Sequence, residues 1–212
     1  MTNISIRIKD SSSSIKNRIE ESVGFFINRL LNKKKNLIIA DIRQLIFNWV
    51  FKQPEMQDIL LGPAGNLGPQ LGIPIGEESF IVNKICSAAA RSFSINIKNL
   101  NSANLGTLSM NFGNYAFTEF LEMPEGFIVT EKGVVLHWMD WILNFGLVPI
   151  VLGYHFKPIE GKGRSTGGIM VKRGAWGVPY TYSGTPTNNF IVRAFQDPNN
   201  DSDIQNVLSR YL

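Results

Sequence analysis

The chain has 212 residues, 44% of them apolar and 18% charged, with 21 Lys and Arg against 17 Asp and Glu. That length suits one large domain or two small ones, and a chain of this size can bury roughly 70% of its unfolded surface without covalent staples. The single cysteine, Cys86, excludes an internal disulfide and a cysteine-rich metal site, and a net charge of +4 does not demand a nucleic-acid partner.

Ile4, Ile6 and Ile8 alternate with Ser5, Arg7 and Lys9, the pattern of a short strand with one apolar face. This polar, alternating start does not read as a signal peptide. Ser11 to Ser14 offer helix N-caps. A helical stripe follows at Ile15, Ile19, Val23, Phe26 and Leu30, and a second at Ile38, Ile42, Leu45, Ile46, Trp49 and Val50. Asn32 to Asn36, with the triple lysine Lys33–Lys35, divides them, which favours two helices or one bent helix. Residues 1–60 hold ten Lys and Arg against six Asp and Glu, and residues 61–212 hold eleven of each. The excess is therefore assigned to the first segment, chiefly to Lys33–Lys35, which reads as a solvated helix end.

Pro54 opens a short helix over 55–61. Gly62 to Pro74 is rich in turn-formers and reads as a loop. It lacks the Gly-Lys-Ser/Thr ending of a phosphate-binding loop and follows a helix, not a strand. Glu77 to Ser92 reads as a helix burying Val82, Ile85, Cys86 and Ala89, with Cys86 as a small core residue. Ser94–Lys98 is a strand, and Leu105–Phe112 is its candidate partner. Tyr115, Phe117, Phe120 and Leu121 form an apolar cluster, and Phe127–Val129 is a short strand. Val134–Phe145 is the most apolar segment, with Trp138, Trp141, Ile142 and Phe145 at helical spacing and Gly146 as the cap. Val148–Phe156 reads as a strand or an extended arm, Pro158–Gly168 as a charged glycine-rich loop, and Ile169–Val171 as a strand. Trp176 to Tyr182 is extended and turn-rich. Asn188–Phe195 and Asp201–Leu212 read as helical pieces broken at Asp197-Pro198. No run of about 18 apolar residues exists to cross a membrane.

The search for chemistry finds little. The two histidines, His137 and His155, have no second ligand at helical spacing, so no metal is expected. His137 and Asp140 share a helix face, a pattern more typical of a buried hydrogen bond than of an acid–base pair. No Gly-x-Ser-x-Gly elbow exists. The segment 161–168 holds two cations, two hydroxyls and four glycines. It has three readings: a phosphate or DNA-backbone contact, a mobile tip, or a loop ordered by a neighbouring subunit. Trp176, Tyr180 and Tyr182 lie in an uncharged stretch suited to a protein interface.

Four stretches together resemble the neck and tail-completion (head–tail joining) proteins of tailed bacteriophages. They are Leu60–Pro74 between helices, Ile128–Gly146 leading into the Trp-rich helix, Arg164–Pro179, and Ser183–Phe195 before a closing helix. The resemblance spans roughly residues 15–212 and lies in the order and spacing of the stretches. It implies a structural virion protein that forms a ring, usually a hexamer, at the head–tail junction or tail end. Such rings join head and tail and line or close the channel through which genome DNA leaves, without sequence recognition. It further implies assembly in the host cytoplasm, contacts with portal or adaptor, neck or tail-tube proteins, no cofactor and no catalytic residue. The long 62–74 loop and the bulky aromatics at 138–145 depart from the family pattern.

The expected fold is α+β. It is one domain over 1–212, helical over 11–92, strand-rich with a Trp-bearing helix over 93–186, and helical again over 187–212. N-terminal helices are expected on a small mixed or antiparallel sheet, with a C-terminal helix and extended loops or arms. The expected subunit-interface residues are Lys162, Arg164, Trp176, Tyr180, Tyr182, Phe190 and Arg193. Two competing readings remain. One is a nucleic-acid-binding module using basic segments 33–35 and 161–173. The other is an enzyme with a site around His137, Asp140 and His155.

Overall fold

The computed structural model describes residues 11–98, 107–112, 116–129 and 133–211. The strand expected at Ile4–Ile8, the aromatic Tyr115 and the stretch Thr130–Lys132 lie outside the described residues. The fold is α+β, as the sequence predicts, and it opens on one 40-residue helix, α1 (Ser12–Phe51). The Ser11 side chain accepts from the Ser14 N–H at 3.2 Å and so caps its first turn. Of the two arrangements expected at Asn32–Asn36, the division into two helices does not occur. Lysine is a good helix former, and that stretch contains neither Gly nor Pro, so solvated lysines simply continue the helix. The helix stops where Gln53 is held extended ahead of Pro54.

Short helices follow: α2 (Pro54–Leu60), a 3₁₀ turn at Gly62–Ala64, and α3 (Leu67–Leu71). The segment read as a loop therefore contains a helix. Its glycines and proline hid it. Gly72 ends α3 at φ +73°, with its N–H bonded to Pro69 O and the Ile73 N–H bonded to Gly68 O. This pair of bonds is a Schellman cap, and it needs a left-handed residue at that point. Leu67, Gly68, Pro69, Leu71 and Ile73 are all buried, so the stretch is core and not a surface loop.

α4 (Glu78–Arg91) buries Ile81, Val82, Ile85, Cys86 and Ala88–Ala90 against α1. Among the described residues three two-stranded antiparallel ladders replace the single sheet expected. β1 (Phe93–Lys98) pairs with β2 (Thr107–Phe112), Phe93 opposite Phe112. After α5 (Ala116–Leu121), β3 (Ile128–Val129) pairs with β4 (Val135–Leu136). The Trp-rich segment thus begins as a strand. It becomes α6 (Trp138–Asp140) only at Trp138, and α6 widens into a π turn over Trp141–Phe145. β5 (Val151–Pro158) and β6 (Gly168–Trp176) form the longest hairpin, and α7 (Phe190–Gln196) and α8 (Asn200–Ser209) close the chain.

The core gathers the C-terminal part of α1, from Leu31 to Val50, with α4, α7 and parts of α2, α3 and α6. Phe195 stacks on Phe93 at 4.1 Å and meets Trp49 edge-on at 5.8 Å. Polar pins fix α8 and the chain end to α1: Trp49 Nε1–H donates to Asp203 at 2.9 Å, and Tyr211 O–H donates to Asp41 at 2.8 Å. In both pins the polar tip is satisfied while the ring supplies apolar area.

Candidate functional site

The first half of α1 behaves differently from the second. Ile15, Ile19, Val23 and Phe26 are exposed, Ile19 at 58% and Phe26 at 62%, and Leu30 is only half-buried. At 100° per residue, the mean direction of this stripe lies roughly 140° around the helix from that of the buried set Leu31, Ile38, Ile42, Ile46, Trp49 and Val50. The stripe is therefore not a frayed extension of the core-facing surface. It is a second apolar face, turned away from the chain's own core. Charges beside it are mixed: Lys16, Arg18 and Arg29 against Glu20 and Glu21. Lys16 and Glu20 pair at 3.7 Å.

The second feature is the β5–β6 hairpin, which is held to the body at both ends. At its base, Trp176 Nε1–H donates to Gln70 Oε1 at 2.7 Å and the ring meets Trp141 at 5.4 Å. At its tip, Arg164 donates to Val129 O at 2.6 Å, and the buried Ser165 donates to Pro69 O at 3.4 Å. Gly167 lies so close to α3 that a β-carbon there would sit 2.6 Å from the Pro69 ring. Between these anchors the hairpin roofs a cleft of about 680 Å³, lined by Tyr154, Phe156, Ile169 and Met170 above and by Leu71, Ile128, Leu136 and Trp141 below. A cleft of this size and apolar character can receive a few side chains of another molecule. Near the base of the hairpin the ladder slips between Leu152 and Tyr154, where Gly153 and Gly174 take positive φ and Arg173 does so at 93°. His155 Nδ1 meets Arg173 O at 2.6 Å and braces this bulge.

Two buried acids that the sequence did not single out pin neighbouring segments: Asp58 the start of α3, which floors the cleft, and Glu55 the helix α7. Asp58 accepts from the Asn66 N–H at 2.8 Å, from the Leu67 N–H, and from Tyr182 O–H at 2.8 Å. One carboxylate thus starts α3 and ties in the 180–182 turn. Burial and this bond to Asp58 push the Tyr182 hydroxyl up to about 12. Glu55 is fully buried and pairs with Arg193. Burial raises its carboxyl above the ordinary value, and the neighbouring guanidinium opposes that shift. No periodicity marks such groups. Their partners lie eight to 138 residues away.

The expected interface residues divide. Tyr180 is 82% exposed, and Lys162 and Arg164 are exposed at the hairpin tip. Tyr182 and Arg193 are half-buried and engaged by Asp58 and Glu55. Trp176 and Phe190 sit inside the protomer, where Phe190 packs directly after the Asn189 cap of α7. Those two have no surface to offer a partner, because the core of this fold already uses their apolar area.

The residues of the enzyme reading are dispersed in their bonding. His137 stacks on Phe127 at 4.1 Å, and its buried Nε2 has no hydrogen-bond partner among the described residues. Asp140 accepts from Asn144 at 2.7 Å. His155 is occupied by the hairpin bulge. Among the described residues no three His, Cys, Asp or Glu side chains gather as a metal site, and no helix is long and apolar enough to cross a membrane. Cys86 is buried, and burial pushes its thiol up to about 12. Comparison with protein-family models, with curated proteins and with solved structures found no match to this chain.

Proposed function

We propose that this protein is a structural ring subunit of a tailed-phage virion, placed at the neck or the tail end, whose copies cover each other's apolar surfaces. The observation that carries the reading is the second apolar face of α1. Five apolar side chains on a helix that projects them away from its own core are costly to leave in water. A closed ring needs two different surfaces per subunit, one for each neighbour. The α1 stripe supplies one and the cleft under the hairpin supplies the other. Mixed charge along the stripe imposes no repulsion between copies. The order of the four sequence stretches supports the same reading. The role is mechanical: interface burial holds an annulus, further rings stack on it, and DNA passes without being read.

The test uses one variant on each surface. Ile19→Ser with Phe26→Ser removes two half-exposed anchors, about 1 kcal/mol each at the contact, so roughly 30-fold in copy–copy affinity. Met170→Glu places a charge in the cleft. Each variant alone is expected to sediment as one chain. Mixed together they retain one intact stripe and one intact cleft, and are expected to form a 1:1 dimer. A double-serine variant that keeps the wild-type assembly refutes the reading.

A further inference from the structure

Counted by structural element, positive charge gathers in two places, α1 and the β5–β6 hairpin. Val151–Trp176, the β5–β6 hairpin and its tip, carries Lys157, Lys162, Arg164, Lys172 and Arg173 against the single acid Glu160. The remaining residues of the chain hold sixteen Lys and Arg and sixteen Asp and Glu. The hairpin's net charge of +4 equals that of the whole chain, while α1 carries a second excess, seven Lys and Arg against three acids and including Lys33–Lys35, that acids elsewhere in the chain offset.

All five hairpin cations are exposed, and among the described residues no ion pair engages any of them. Elsewhere the protein does pair its Arg side chains, with Arg193 on Glu55, Arg210 on Asp41 and Arg91 on Glu119. The N–H groups of Gly161, Lys162, Thr166 and Gly168 are consumed by carbonyls at positions 159–166. The recognition chemistry at the hairpin is a set of exposed side-chain cations carried on both faces of a ribbon, Lys157 opposite Ile169 on one face and Lys172 opposite Tyr154 on the other. Eight or nine strand residues at about 3.3 Å each give roughly 25–30 Å, the length of about seven to nine nucleotide steps. With both ends pinned to the body, the ribbon presents this charge on a fixed frame, so little ordering entropy is lost on contact.

We infer that the β5–β6 hairpin is a binding surface for the phosphate backbone of nucleic acid, recognising charge and not sequence. The inference is independent of the ring reading, because it requires neither self-association nor the α1 stripe. An acidic protein surface is the other ligand of this general charge, and the same experiment separates the two.

The experiment measures anisotropy of a fluorescein-labelled 30-base-pair duplex against the full chain, in salt from 50 to 200 mM. The triple variant K157Q/K172Q/R173Q is compared with K33Q/K34Q/K35Q. Wild-type affinity is expected to fall with salt at a logarithmic slope of about −3 to −4.5, one step of roughly 0.9 per neutralised phosphate. The hairpin variant is expected to lose about 2.7 of that slope and at least about tenfold in affinity at 50 mM salt, while the helix-lysine variant matches wild type. Arg173 holds φ 93° and glutamine bears the same backbone strain, so R173K and R173Q differ in charge and not in fold. R173K in the otherwise native chain is expected to bind as wild type does. Circular dichroism on each variant verifies the fold. The inference is overturned if wild type shows no salt-dependent binding, or if the helix lysines carry the slope. It is equally overturned if the hairpin variant changes the sedimenting mass while leaving duplex affinity intact, which assigns the cations to an acidic protein face.

Discussion

Replacing Asp58 with alanine removes a single carboxylate that serves three donors: the Asn66 N–H, the Leu67 N–H and the Tyr182 hydroxyl. Asp58 is buried, so water does not freely replace what is lost. Hydrogen bonds to a charged acceptor contribute about 1.5–3 kcal/mol each, and a stranded buried donor costs a further fraction of that. Allowing for partial relaxation, Asp58→Ala is expected to cost about 3–5 kcal/mol, near the upper end for a point substitution. For a chain of this size that corresponds to a midpoint lowered by roughly 10 °C. Asp58→Asn keeps one acceptor oxygen for the two amides and turns its –NH₂ toward Tyr182, whose hydroxyl can accept instead. Its expected cost is about 1–2 kcal/mol. Urea denaturation followed by tryptophan fluorescence measures both. A loss under about 0.5 kcal/mol for the alanine variant refutes the claim that this carboxylate organises the cleft floor. Equal losses for Asn and Ala refute the assignment of its effect to the hydrogen bonds.

Glu55 gives a pH signature whose sign is opposite to that of a simple surface ion pair. Burial raises its folded-state carboxyl, so the folded chain holds a proton that the unfolded chain releases. Stability is expected to fall as pH rises from the ordinary carboxylate value through the raised one, and to be level above it. Glu55→Gln removes that slope, so the difference between variant and wild type in urea titrations from pH 4 to 7.5 should grow in the variant's favour. A difference that grows in favour of wild type shows that attraction to Arg193 outweighs burial. For Cys86, a thiol buried and held near 12 is expected to react with a disulfide reagent at pH 8 roughly 1,000-fold more slowly in the folded protein than in urea. Comparable rates in the two conditions place Cys86 at an opening surface and contradict its core position.

Several elements were legible in the residues because their signals were local. The stripe Ile38–Val50, the α4 face around Cys86, Pro54 at the head of α2 and the Asp197-Pro198 break all rest on periodicity or capping within one element. α3 was hidden because Gly68 and Pro69 argue against a helix, and its start depends on a carboxylate two elements away. The triple lysine suggested a break because its charge is locally dense, yet helix propensity governs there and solvent tolerates the charge. The stripe at Ile15–Leu30 was read correctly as apolar, but no pattern reveals whether such a face meets its own core or another molecule. Trp176 and Phe190 illustrate the converse. Aromatic residues suit an interface and a core equally, and only tertiary packing decides between them. The basic segment 161–173 was legible in the residues, but only the pairing of β5 with β6 adds Lys157 to it.

The central claim is that copies of this chain cover one another. Sedimentation velocity of the unmodified protein over a wide concentration series tests it most directly. One discrete species at a fixed multiple of the chain mass is the expected result, because closure around a ring leaves no free surface for further growth. A particle of a single chain at every concentration, or an unbounded ladder of sizes, contradicts the account.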